Sequence, residues 1–265
     1  MPPDDAARTL LGHVIPFTLV LFRMAGVFVM APMLSSSMIP VRAKALLATT
    51  LALATYAGVG GEVRAPAEVD VFGLVPLVIG EMLIGLTMGA IASIPLLMLE
   101  LAGAVMGYSI GFGLARVYNP ELDTDTDILG QLLMMIGVSV FVAIGGLETL
   151  FASVARSFER VPVGWYHTSR APLDLIVGAV ESGFDLGLRV ALPVVGMTFL
   201  LVVVMGVIGK TMPQINIMTV GFMLKILAGL GALALAAGAI HEAAGDAIAA
   251  GIENAVAWIR GAGGA

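Results

Sequence analysis

Apolar residues run through this chain in long, nearly unbroken stretches separated by short polar punctuation. A helix that crosses a bilayer takes about 20 apolar residues, and roughly six to eight stretches meet or approach that length. The first, Leu10 to Met30, is crossed by Pro16 and Arg23. Ala45 to Gly61 is uncharged and ends at Gly60, Gly61 and Glu62. Phe72 to Tyr118 is too long for one span, and Ile94-Pro95 divides it, because the residue before a proline avoids the α region. The pattern predicts a hairpin of two helices there, carrying Glu81 and Glu100. Ile128 to Leu147 and Val190 to Gly209 are free of charge and are the clearest spans. Thr219 to Ile240 follows, interrupted only by Lys225, and the tail to Ala265 is rich in small residues and partly amphipathic.

The longest polar stretch, Arg156 to Asp185, is too short for a separate soluble domain. The expectation is therefore an all-α, polytopic membrane protein with one membrane-embedded domain over residues 1–265. Composition agrees. Hydrophobic residues make up 59% of the chain and charged ones only 12%, with a mean hydropathy of +1.02. A soluble domain carries about 25% charged residues. The 33 glycines and 13 prolines are a load that transmembrane helices tolerate better than soluble ones. No Lys/Arg cluster offers a face to nucleic acid. The absence of cysteine excludes disulfides and thiolate metal sites. Asp4 and Asp5 spoil the basic start of a cleavable signal, and Arg23 interrupts its apolar run. Arg42, Lys44, Arg156, Arg160 and Arg170 lean their loops towards the cytoplasm.

Arg23, Glu81, Glu100, Arg189 and Lys225 lie inside apolar runs. A charge at a helix centre costs about 2.5–3.5 kcal/mol on insertion scales, so these groups should face protein or water. They either form an ion or substrate pathway, or pair with one another or with partner subunits, or lie in segments that never cross lipid, and burial against protein is the better reading. Gly85 and Gly89 form one G-x-x-x-G spacing, and Gly103, Gly107 and Gly111 form two in tandem. Such a stripe lets another backbone approach closely, within the chain or between chains. Gly107-Tyr108-Ser109-Ile110-Gly111 also matches the serine-hydrolase elbow, which needs a histidine base and an orienting acid. His13, His167 and His241 stand in no recognisable partner motif. Asp123, Asp125 and Asp127 alternate like calcium ligands, but Ile128 and Met134 occupy the positions where the loop wants glycine and glutamate. No catalytic residue, cofactor or metal is expected. The 16 methionines, including Met134, Met135, Met205, Met212, Met218 and Met223, are chiefly core fillers, with a conforming seal as a secondary role.

The run Thr211-Met212-Pro213-Gln214-Ile215-Asn216-Ile217-Met218-Thr219-Val220-Gly221-Phe222-Met223-Leu224-Lys225 resembles the signature of the FliR family, the R subunits of type III protein export gates. Pro213, Gln214, Asn216, Gly221 and Phe222 are the positions that carry this signature. Other segments agree in order: Arg23 to Gly26, Ala31-Pro32, Ile39 to Arg42, Gly80 to Gly89, Ala102 to Gly111 and on to Asn119-Pro120, Ser157-Phe158 to Gly164, and Ala191 to Pro193. The likeness covers nearly the whole chain. There are departures: Gly146-Leu147-Glu148 lacks the family's frequent histidine, Lys210 replaces an arginine, and the plug region is poor in phenylalanine.

The resemblance implies a non-enzymatic component of a bacterial inner-membrane export channel, in the basal body of a flagellum. It implies bent helical hairpins packed with FliP-type and FliQ-type subunits into a cone, near FlhA-type and FlhB-type subunits, that passes unfolded proteins. Hydropathy then overcounts true crossings. It also makes the loop from Gly111 to Pro120 a plug, held by Phe112, Leu114, Val117 and Tyr118 with Arg116 at its rim. The alternatives are a virulence-type secretion gate, a secondary transporter coupled through Glu81 or Glu100, and an intramembrane protease acting through Ser109.

Overall fold

In the computed structural model, the described residues are 3–36, 39–59, 71–112, 127–164, 173–212 and 216–262. They form seven helices and no strand: α1 (Pro3–Met30), α2 (Val41–Val59), α3 (Val71–Ile110), α4 (Ile128–Ala143), α5 (Gly146–Arg160), α6 (Leu173–Thr211) and α7 (Ile217–Ala262). Four helices are long and apolar enough to cross a membrane, or up to five if α4 and α5 count as one broken span. That is fewer than the apolar stretches in the sequence. α2 is among those that fall short: although 19 residues long, it begins with Arg42 and Lys44 and contains Thr49, Thr50 and Thr55. The chain is a multi-pass membrane protein.

Two sequence expectations are corrected. The hairpin expected between Phe72 and Tyr118 is absent up to Ile110, because α3 continues through Pro95 as one helix of 40 residues. Proline removes a single hydrogen bond, and in membrane helices neighbouring groups compensate for that loss. The span expected over Ile128 to Leu147 stops at Ala143, where Gly145 takes a left-handed conformation (φ 71°) and α5 begins. Most of the polar stretch after Arg156 is helical, since α5 runs to Arg160 and α6 starts at Leu173. The apolar segment after Thr219 and the tail also prove to be one helix, α7, of 46 residues.

The chain divides into two compact units. One contains residues 1–93, 145–179 and 249–265, and the other residues 94–144 and 180–248. The first boundary falls beside Pro95, inside α3.

In the first unit, α1 buries Leu19, Val20, Arg23, Met24, Val27 and Phe28. Their spacing of three and four residues marks a single helix face, and Arg23 sits within it. α3 presents Glu81, Ile84 and Met88 in the same way. The core of the second unit gathers Leu99, Ala102, Met106 and Ile110 of α3, Leu129 and Leu133 of α4, Leu186, Val190 and Val194 of α6, and Ile240 and Ala244 of α7. α6 and α7 elsewhere expose large apolar side chains, among them Leu192, Phe199, Leu200, Val207, Leu227 and Leu235, as expected where helices meet lipid or other subunits.

Candidate functional site

The densest polar arrangement among the described residues lies in the first unit. Arg23 and Glu81 both have zero exposure, and Arg23 Nε donates to Glu81 Oε2 at 2.6 Å. Arg23 Nη1 donates to Ser157 Oγ at 2.7 Å, and Nη2 to the Val161 carbonyl at 3.1 Å. The second carboxylate oxygen, Glu81 Oε1, accepts from the Gly164 N–H at 2.9 Å. The Ser157 hydroxyl itself donates to the Val154 carbonyl at 2.6 Å, and the guanidinium lies 4.0 Å from the centroid of the Phe158 ring. Gly164 has φ 81°, a conformation that glycine adopts without steric cost.

One charge pair thus ties α1, α3, α5 and the turn after α5 together. Burying two ions is costly, and the cost is met only when the geometry is good and the remaining donors and acceptors are filled. Both carboxylate oxygens and all three guanidinium nitrogens are engaged. The arrangement holds helices in place and leaves neither ion available to carry a substrate.

Glycine makes the pair possible. A Cβ on Gly26 would lie 2.5 Å from the Met82 carbonyl oxygen, and one on Gly85 would overlap the Arg23 carbonyl. α1 and α3 therefore touch backbone to backbone one turn from the ion pair. Gly89 extends the contact, its absent Cβ lying 3.0 Å from the Val27 carbonyl oxygen. The second stripe works likewise in the second unit. A Cβ on Gly103 would meet the Leu129 carbonyl oxygen at 2.5 Å and Gly130 Cα at 2.6 Å. A Cβ on Gly107 would lie 2.7 Å from Asp127 Oδ1. Asp127 caps α4 by accepting from the Leu129 N–H at 3.1 Å, which gives this aspartate a helix-capping role. Asp123 and Asp125 lie outside the described residues.

Gly107→Leu should accordingly disturb the chain far more than Ser109→Ala. The first change displaces a cap and overfills a close contact, at about 1–3 kcal/mol for the overpacking alone. The second removes one half-buried hydroxyl. Levels of assembled chain in membranes compare the two, and loss of function confined to Ser109→Ala would restore the protease alternative. Among the described residues Ser109 has no histidine partner. His13 Nδ1 pairs with the Tyr56 hydroxyl at 2.7 Å, His241 lines an open apolar groove beside α4, and His167 is outside the described residues.

The remaining expected site residues divide three ways. Glu100, expected to be buried, is exposed on α3, and Lys225 is half-buried on α7. Arg189 lies at the surface, 2.7 Å from Asp185 one turn earlier. In the signature, Asn216 caps α7, its Oδ1 accepting from the Thr219 N–H at 3.3 Å. A Cβ on Gly221 would make ordinary contact with Met205, while one on Gly111 would lie 3.0 Å from the Phe222 ring. Gly111 itself has φ 109° and ends α3. The signature's phenylalanine therefore abuts the first residue of the expected plug. Phe112 packs on the core of the second unit. Leu114, Arg116, Val117, Tyr118, Pro213 and Gln214 lie outside the described residues.

Sequence reasoning singled out neither Ser157 nor the Val161 carbonyl as a partner of Arg23, and it missed Gly26 and Gly130 as the surfaces that receive the glycine stripes. The available signal was that Arg23, Gly80-Glu81 and Ser157 to Gly164 all lie in the segments that carry the family resemblance.

Those segments fall within a broader match. The sequence model of a family described as bacterial export proteins, family 1, matches residues 14–250. The chain belongs to this family. Its relatives include the flagellar biosynthetic protein FliR of Aquifex aeolicus, 25% identical over 79% of this chain and 80% of that protein. FliR of Caulobacter vibrioides is 27% identical over 82% of this chain and 86% of that protein. The Yop proteins translocation protein T of Yersinia pestis is 27% identical over 79% of this chain and 80% of that protein. The matched residues include every element of the Arg23–Glu81 network.

Proposed function

We propose that this protein is a core component of the flagellar type III protein export gate. It forms the channel for unfolded flagellar proteins together with FliP-type and FliQ-type subunits, beside FlhA-type and FlhB-type subunits, in the inner membrane at the flagellar basal body. The observation that carries this reading is the family match over residues 14–250, joined to relatives named for flagellar biosynthesis. In this role the protein performs no catalysis and needs no cofactor or metal. Its work is to hold helices at fixed spacing around a passage. The broad apolar surfaces of α6 and α7 suit a subunit completed by neighbours. The Yersinia relative supports a second reading, a virulence-type secretion gate, and the genes beside this one on the chromosome distinguish the two.

Expressed alone, the chain should aggregate or scatter in size in detergent, and co-expression with P-type and Q-type subunits should give one stable complex. A monodisperse, stable monomer that gains nothing from those subunits would overturn the reading.

The run from Gly111 to Pro120 is the proposed plug. A channel wide enough for polypeptide must close when idle, and apolar constrictions can exclude ions by dewetting. Replacing Leu114, Val117 and Tyr118 together with serine is expected to leave the complex assembled but leaky to small ions. Conductance of cells or reconstituted complexes measures this. An assembled and tight triple variant removes the plug role.

A further inference from the structure

Beyond Pro95, α3 has two faces. Leu96, Leu99, Ala102, Met106 and Ile110 are buried, at the spacing of one helix face. The other face carries Leu97, Leu101 and Val105, exposed by 51%, 47% and 43%, with exposed Glu100 among them. Positions 97, 100, 101 and 105 fall on one stripe at the same helical spacing. Among the described residues the ion pairs are Arg23–Glu81 and Arg189–Asp185, so half-buried Lys225 does not neutralise Glu100.

Neither solvent suits this stripe. Lipid accommodates Leu97, Leu101 and Val105 but penalises an uncompensated carboxylate. Water accommodates the carboxylate but not three large apolar side chains held side by side. A helix that is apolar apart from one basic residue satisfies both. Its apolar side chains cover the leucines and the valine, and its cation donates charge-assisted hydrogen bonds to Glu100. We propose that this face of α3 docks an apolar helix of another export-apparatus subunit, with a lysine or arginine set opposite Glu100. The inference rests on the export-gate reading and adds to it a specific surface and the chemistry of its partner.

The experiment uses cells producing the whole apparatus, with this chain affinity-tagged. If the wild-type chain recovers no other apparatus subunit, the export-gate reading fails and this inference with it. With wild-type recovery established, Glu100→Lys is expected to reduce the co-purified subunits by about tenfold or more, because it sets two cations together in a desolvated contact. Glu100→Gln, which still accepts a hydrogen bond, should remain within about threefold. The membrane level of Glu100→Lys expressed without partners should match wild type, since the residue is exposed and its part in the α3–α4 contact is made by its backbone carbonyl, which the substitution keeps. Selection for restored export from Glu100→Lys should return a basic-to-acidic exchange in an apolar segment of another subunit.

Three results would overturn the proposal. One is wild-type recovery of subunits by Glu100→Lys. Another is a set of revertants confined to this chain. The third uses the natural lack of cysteine: Leu101→Cys reacting with a water-soluble maleimide in the assembled apparatus as fast as an exposed control would show that the stripe faces water.

Discussion

Glu81→Leu should abolish accumulation of the chain in membranes. The substitution leaves the Arg23 guanidinium buried with no counter-charge, and breaking a buried pair from one side costs about 3–5 kcal/mol. That is comparable to the whole stability margin of many domains. It also strips the Gly164 N–H of its acceptor and frees the turn after α5. The double variant Arg23→Met, Glu81→Leu should recover more than half of the loss, because an apolar pair of similar volume carries no stranded ion. Recovery stays incomplete, since Ser157 and the Val161 carbonyl lose their donor. Membrane levels of the three variants, and the heating temperature at which each leaves solution as a purified complex, measure the effect. Wild-type accumulation of Glu81→Leu would show that the pair is not what holds the first unit together.

The second large effect belongs to Gly85. Adding one methyl group, Gly85→Ala, places carbon on the Arg23 carbonyl, and backbone cannot move aside as a flexible side chain does. α1 and α3 must separate, and the ion pair one turn away must lengthen with them. Overpacking alone costs about 1–3 kcal/mol, and the stretched pair adds to it, so Gly85→Ala should approach Glu81→Leu in severity. Gly178 is the control. It lies in the same unit, and a Cβ there meets nothing within 4 Å. Gly178→Ala should be neutral or stabilising, by up to about 1 kcal/mol of helix propensity. Equal tolerance of alanine at both positions would contradict the close backbone contact.

These effects bear on how much of the molecule was legible in the sequence. Helix class and membrane residence were legible, because long uncharged apolar runs have few other physical solutions. Charges inside those runs flagged Arg23 and Glu81 as buried for the same reason. The glycine spacings announced close helix contacts, although not which helices would meet. The hairpin over Phe72 to Tyr118 was misread because proline weakens a helix locally, whereas packing on both sides of the break decides whether the helix goes on. The reasoning that flagged Arg23 and Glu81 also flagged Glu100, which is exposed within its unit, because a charge inside an apolar run can be left for a partner as well as buried within the chain.

The sequence by itself determined what this chain is made to lie in and which family of export proteins it belongs to, since composition, apolar run length and motif order are one-dimensional properties. Only the tertiary structure decided that Arg23 finds Glu81, that Ser157 and Gly164 complete the pair, and that Gly107 leaves room for the Asp127 cap. Arg23 and Ser157 are 134 positions apart, and no local pattern encodes a partner at such a distance. What selects it is the backbone contact that glycine permits, together with the cost of leaving a buried ion alone.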